Sequence, residues 1–396
     1  MIGRGAVVVI GRGAVVVDRR GAVVVDRRDA VVVIGRDAVV VAGRDAVVVA
    51  RRRHRVVVAA CHARGMVPRA AAVVLLTLVA GCGSASRDEL PPVAEPASSP
   101  PAAAAPDGRI VNVGFKPEGV VADPIAGIFA VGVREPADLV LVDGETGDVV
   151  QRVPLPEPPR HLAFDGERVL VPAEDADQLL SVAVLDGRVA SAPTGREPHD
   201  AAAASGRNFV ADEFAHTLTV LENGKPRQTI ETALQPGGVT ALDRGRQVAV
   251  VSVRERVVET FDAVTGARTG RAPAGVGPTH AVSDKGDYLF VTDTTGGALL
   301  VYHLRPKLEL IRRYPLPGSP YGIAIDNVRH RMYVTQTARN QLTELIVGGR
   351  PSLVARYATP QQPNTVAVDE TTGRVAVTGK ADGVLQLLDP GRERTR

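Results

Sequence analysis

His161, His199, His216 and His280 are the histidines of this 396-residue chain best placed for chemistry. Charged residues accompany each of them. Arg160 precedes His161, and Glu174, Asp175 and Asp177 follow it; His199-Asp200 leads to Asp212-Glu213 and His216; His280 leads to Asp293. Imidazoles and carboxylates gathered in one place can bind a divalent cation, orient a polar ligand, or move protons as general acid and base. The candidate ligand or partner face is therefore Arg160, His161, Glu174, Asp175, His199, Asp200, Asp212, Glu213, His216, His280 and Asp293. His161, His199 and His216 are its candidate metal ligands, and no catalytic residue is assigned. Sharper signatures are missing: there is no G-x-x-x-x-G-K-[ST] phosphate loop, no H-E-x-x-H, no G-x-S-x-G and no EF-hand spacing. No cofactor is expected, with a divalent metal as the alternative.

These residues need a frame, and the sequence repeats one. From residue 109 the chain breaks into short strand-like runs separated by turn residues, with no long segment of helical period. PEGVVAD, PRHLAFD, PTHAVSD, PYGIAID and PNTVAVD open at Pro117, Pro159, Pro278, Pro320 and Pro363, each with Asp in seventh place. Looser copies open at Pro198 and Pro236, and successive prolines stand 38 to 43 residues apart. A unit of about 42 residues that divides into four strands matches a propeller blade. The last unit has only three strands, and RIVNVGF (109–115) is one strand ahead of the first Pro. The expected fold is all-β: a seven-bladed β-propeller over 109–390, its last blade closed by the domain's N-terminal strand. Closure removes the open sheet edges that invite aggregation.

In such a blade the link from strand four to the next strand one shares a face with the loop between strands two and three. That face collects the candidate residues, with Arg134, Glu135, Arg254, Glu255, Lys380 and Asp382 from other blades. Histidines and carboxylates concentrate in blades two and three. His161 and His280 lie three blades apart and are expected almost across the ring, too far to share one ion. They stand where Gly119 and Gly322 stand in other blades, so bonds to loop backbone are the plainer expectation for them. A solvated structural rim is the plainer reading of the whole face. His303 and His330 fall outside it.

The first 108 residues are of another kind. Residues 1–65 open with an octad of the type GRDAVVVA, a low-complexity pattern expected not to belong to the real protein. Met66 then begins a short basic stretch, an apolar run and a small-residue cleavage site, the layout of an export signal over 66–81. Val79-Ala80-Gly81-Cys82 resembles the bacterial lipobox, which implies a lipid on Cys82 and an extracytoplasmic protein anchored to a bacterial membrane. A diacylglycerol supplies the two chains that stable anchoring needs. The Pro/Ala-rich segment from Cys82 to residue 108 reads as a tether, and 391–396 as a basic tail. Removing the 14 Arg and five Asp of residues 1–81 from the 47 basic and 44 acidic residues leaves 33 and 39, a formal charge of −6. That balance speaks against nucleic acid as a partner.

MYVTQT (332–337), LFVTDT (289–294) and VAVTGK (375–380), with the P-x-G-h-A-h-D opening of Pro320 to Asp326, resemble the YVTN-type β-propeller repeat, including its YncE-like members. Blades two to four depart from that wording with VLVPAE, NFVADE and VAVVSV. The resemblance implies a propeller of the cell envelope, commonly without assigned catalysis. The expected function is a binding or scaffold module for an envelope protein, a peptide or a cell-wall component, acting as a monomer. A lactonase- or lyase-type enzyme with its His/carboxylate site at the channel mouth is the first alternative. A metal-handling or redox accessory protein is the second.

Overall fold

The computed structural model describes residues 92–393 and, as backbone strands alone, parts of residues 7–60. The export signal and Cys82 lie outside the described residues. The chain divides into two units, Met1–Cys82 and Gly83–Arg396. In the first, the valine runs of the octads form strands: Val7–Ile10 pairs with Gly13–Val16, and Ala30–Ile34, Ala38–Gly43, Ala46–Arg51 and His54–Ala60 form a four-stranded antiparallel sheet. β-Branched side chains favour that extended backbone.

The second unit carries seven four-stranded antiparallel sheets. Their first strands are Phe115–Asp123, Ala163–Phe164, Pro198–Ala204, Pro236–Leu242, Pro278–Ser283, Pro320–Asp326 and Pro363–Val368. The seventh sheet is finished by Arg109–Asn112, which pairs antiparallel with Val384–Leu388 from Val384↔Asn112 to Leu387↔Arg109. The fold is thus the expected seven-bladed β-propeller, closed as expected between its two chain ends. Among the described residues no helix is long and apolar enough to cross a membrane.

Two recurring residues of the repeat have structural jobs. The seventh-place Asp turns the chain on the lower face: Asp165 Oδ1 accepts from Glu167 N and Arg168 N, and Asp369 Oδ1 from Thr371 N and Thr372 N. The first-place Pro begins a bulge. In blade six Pro320 pairs with Gln336, but the next pair is Ile323↔Val334, so Tyr321 and Gly322 leave the ladder. The same shift follows Pro117, Pro236, Pro278 and Pro363. A bulge re-aims side chains, and here it turns the two residues after each Pro towards the channel axis.

The core lies between neighbouring blades. Phe129, Phe209, Phe261, Phe290, Tyr302 and Tyr333 are its largest fully buried side chains. The seam of blades two and three is packed by Leu170, Leu179, Ala192, Ala201, Val210 and Leu221. Beside it the lower mouth opens into a cavity of about 1310 Å³ lined by small residues such as Ser181, Ala190, Ser191, Ala203 and Ala204.

One segment departs from expectation. Residues 92–107, read from composition as part of a free tether, lie along the upper face as an arm. Ser99 N donates to Gln362 Oε1 (2.9 Å), Gln362 Nε2 to Ala97 O (3.0 Å), Asn340 Nδ2 to Pro100 O (2.7 Å) and Ala97 N to Ser319 Oγ (3.1 Å). Proline-rich backbone leaves its carbonyls free, and the side-chain amides of blades six and seven bind them.

Candidate functional site at the upper mouth

Each blade offers the upper mouth two positions: the residue after the bulge Pro, and the first residue, in strand two or the loop after it, beyond the pairing with strand three. From blade one to seven the first set is Glu118, Arg160, His199, Gly237, Thr279, Tyr321 and Asn364. The second is Arg134, Glu174, Glu213, Val253, Thr294, Thr337 and Lys380. The residue two places after Pro points further down the axis and includes His161, Asp200 and His280.

Charged groups interlock in blades one to three. Arg160 Nε lies 3.0 Å from Glu174 Oε1, and Arg134 Nη1 lies 3.8 Å from Glu174 Oε2. His199 Nδ1 lies 2.9 Å from Glu213 Oε2 and 3.6 Å from Glu174 Oε1. Gln235 Nε2 donates to Glu213 Oε1 at 3.2 Å. Lys380 Nζ reaches Glu118 Oε2 at 2.5 Å, and Asn364 Nδ2 donates to Glu118 Oε1 at 3.3 Å. Glu118 is only 2% exposed, so this pairing is what allows its charge to stay buried.

The imidazoles meet on the axis. His161 Nε2 and His280 Nε2 are 3.2 Å apart, with one ring donating and the other accepting. The ring centroids of His161 and His199 are 5.0 Å apart, and Tyr321 packs edge-on to His280 at 4.5 Å. This corrects the expectation that His161 and His280 sit too far apart to act together and bond only to loop backbone. Blades approach closely at the upper end: a Cβ on Gly322 would lie 2.3 Å from Asn364 O, and one on Gly119 2.7 Å from Arg160 O. Those glycines narrow the ring until side chains from opposite sides touch.

The three rings differ in charge. Burial opposes protonation of His199, yet its contacts with Glu174 and Glu213 outweigh burial and raise it to about 9. Burial, reinforced by the positive charge of His199, takes His280 down to about 3. Burial and both neighbouring imidazoles hold His161 well below the ordinary histidine range. At neutral pH one imidazolium therefore lies against two neutral rings. Glu174 is lowered: burial works against ionisation, but His199 and Arg160 prevail.

The remaining candidates are placed elsewhere. Asp200 Oδ1 and Oδ2 accept from Ala201 N and Val239 N, a clasp between blades three and four, and burial pushes its carboxyl up to about 6. Asp212 accepts from the hydroxyls of Thr217 and Thr219, both at 2.8 Å. Asp293 Oδ1 accepts from Val276 N, Gly277 N and Gly296 N. His216 Nδ1 faces Gln235 N at 3.2 Å and Glu213 O at 3.1 Å, outside the converging set of ligand atoms that includes His199. Asp175 is exposed on the loop beside Glu174. Among the described residues the one group that could hold a metal ion is Glu174, His199 and Glu213. Glu118, Tyr321 and Gln235 were missed by sequence reasoning. The first two stand in the same repeat column as Arg160 and His199, and that column was the available signal.

Below the histidines the channel continues as a cavity of about 400 Å³ walled by residues such as Val121, Ala202, Ala241, Ile323 and Val366. The arm lies on the upper face at blades five to seven: Ala94 packs against Gly277, and Glu95 acts electrostatically on Tyr321. The second unit is a seven-bladed β-propeller with a half-buried cluster of charged groups at its upper mouth.

No family model matches the chain, and no curated protein matches it. Solved structures do. Hydrazine synthase of Kuenenia stuttgartiensis is similar at 15% identity and a TM-score of 0.62, over 70% of this chain and 96% of that one. A streptogramin B lyase is similar at 12% and 0.60, over 71% and 96%. A chain of a mitotic checkpoint complex is similar at 10% and 0.63, over 75% and 95%. At such identities the likeness shows the fold alone.

Proposed function

We propose that this propeller is a ligand-binding module of a bacterial cell envelope, lipid-anchored through Cys82, and that it takes its ligand at the upper mouth. The observation that carries this reading is the convergence of Glu118, Arg160, Glu174, His199, Glu213 and Lys380 on one end of the axis. Burying so many ionised groups costs stability even when they are paired, and a rigid ring does not need them, because blades five and six close without them. Loops on a rigid scaffold are the usual seat of binding. The lipobox-like Val79 to Cys82 and the YVTN-like, YncE-like repeat wording support the location. The ligand is a peptide, an envelope protein or a cell-wall component.

Two experiments test the reading. Cys82→Ala should move the protein from the membrane to the soluble fraction; an unchanged distribution rules out the anchor. A photo-cross-linking residue at Asp175, on the upper rim, should give a discrete adduct in intact cells, whereas one at Leu185, exposed in blade two, should not. Adducts from Leu185 alone would refute the upper mouth as the site.

A second reading is a lyase- or lactonase-type enzyme, favoured by the imidazolium set against two neutral imidazoles. Such a pairing supplies an acid and a base in one place. Turnover of a lactone panel, abolished by His161→Ala and His280→Ala, would establish it, and no turnover by the wild type would dismiss it.

A further inference from the structure

We propose that Glu174, His199 and Glu213 form a binding site for a divalent transition-metal ion of the zinc type. The inference rests on the upper mouth being the functional end of the channel, and it names one ligand of that end.

Geometry comes first. The imidazole nitrogen and one oxygen of each carboxylate all lie within 4.8 Å of one another. His199 Nδ1 is 2.9 Å from Glu213 Oε2 and 3.6 Å from Glu174 Oε1. Donors about 2.0–2.2 Å from a tetrahedral ion stand roughly 3.3–3.6 Å from one another. The two distances from Nδ1 are already close to that span, and the two carboxylate oxygens, within 4.8 Å of each other, reach it with side-chain shifts of up to about an ångström. One imidazole with two carboxylates suits zinc and its neighbours better than magnesium or calcium, which prefer oxygen alone.

The surroundings fit as well. Ligating carboxylates usually have their own hydrogen-bond partners, which orient them. Gln235 Nε2 plays that part for Glu213 at 3.2 Å, and Glu174 is held by its ion pair with Arg160, whose Nε lies 3.0 Å from Oε1. The three side chains come from two blades and three separate segments: Glu174 and Glu213 from second-to-third-strand loops, His199 from a bulge. Three protein ligands leave a fourth position open for solvent or a bound molecule. His161 and His280 are not first-line ligands, since their Nε2 atoms face each other. His216 is not one either, because it is not among the side chains whose ligand atoms converge within 4.8 Å. Charge balances simply: the dication replaces the Nδ1 proton, which leaves to solvent, and the two carboxylates neutralise the metal while Arg160 stays.

The test is a titration of the purified full chain, stripped with chelator and with its thiols blocked, by ZnCl₂ in competition with a chromophoric chelator. One equivalent of zinc should bind, with magnesium failing to compete. His199→Gln and Glu213→Gln should each weaken binding at least 100-fold, Arg160→Gln about 10- to 100-fold, and His216→Gln not at all. Absence of a stoichiometric zinc site overturns the proposal, as does zinc binding that survives both His199→Gln and Glu213→Gln. If those variants fail to fold, the wild type loaded with cobalt(II) decides: a tetrahedral d–d spectrum supports the site, and its absence overturns it. Asp175 adducts without zinc binding would sink this inference and leave the upper-mouth reading standing. Zinc binding with adducts only from Leu185 would do the reverse.

Discussion

In blades five, six and seven the second strand carries Thr292, Thr335 and Thr378; in blades one, two and three the matching place holds Gly132, Pro172 and Ala211. The threonines clasp the bulge. Thr335 Oγ1 accepts from Gly322 N and donates to Asn364 O of the next blade, and Thr292 Oγ1 accepts from His280 N and donates to Tyr321 O. These two hydroxyls meet backbone groups that the bulge has taken out of the ladder and tie one blade to the next; in blade seven Thr378 Oγ1 accepts from Thr365 N, and Thr365 Oγ1 donates to Glu118 O of blade one. Blades one to three lack that clasp. There the mouth is held by ion pairs among Arg134, Arg160, Glu174, His199 and Glu213. One half of the ring spends its bulge positions on closure, and the other half has them free for charged side chains.

This contrast can be broken or sharpened by experiment. The largest effect should come from Glu174→Ala, which leaves the half-buried Arg160 and His199 short of a counter-charge. A loss of about 3 kcal/mol is expected, read from urea denaturation. A loss no larger than that of an exposed surface change would mean the charged half is not held by its ion pairs.

Next is the pH dependence of the metal-free protein. His199 is raised from an ordinary value near 6.5 to about 9. Its stabilising contribution is therefore complete below about pH 6.5 and is lost as the pH rises through 9, at no more than about 1.4 kcal/mol per pH unit. His161 and His280 are depressed, so they act on the acid side, where stability falls as the pH drops below about 6.5. His199→Gln should flatten the alkaline limb. Thr335→Val should lower the whole curve without changing its shape. A flattened alkaline limb in Thr335→Val would show that the two halves are not separate.

Thr335→Val itself should cost about 1–3 kcal/mol, because Gly322 N and Asn364 O lose a buried partner. The smallest effect is expected at the lower end of the same blade that carries Glu174. Asp165→Ala removes only a solvated turn cap, at about 1 kcal/mol, and should leave zinc binding unchanged in a competition titration. An equal cost for Asp165→Ala and Glu174→Ala would erase the difference between the two ends.

The fold was legible because its signals are local and periodic. Pro and Asp at fixed places, and the shortage of one strand in the last unit, were enough to give seven blades and the closing partner. The site was legible only in part. The repeat columns identified Arg160, His161, Glu174, His199, Glu213 and His280 as sharing a face. They did not give the distance across the ring, which depends on how closely Gly119 and Gly322 let the blades approach. His216 and Asp293 share the face too, but backbone groups that no sequence pattern shows already occupy them. Composition misled for residues 92–107: a Pro/Ala-rich stretch reads as a spacer, and only the amides of Asn340, Gln361 and Gln362 make it an arm. The departures of blades two and three from the repeat wording mark the place where the charged cluster is built.

The seam in blade seven has a mechanical consequence. The arm leads, through Asp107, straight into Arg109–Asn112, so tension on the chain from its N-terminal side would load the arm's hydrogen bonds first and the four-residue pairing with Val384–Leu388 second. Under load the molecule should behave like a latch with a sacrificial strap: the strap gives way in small steps, and the ring then springs open in one.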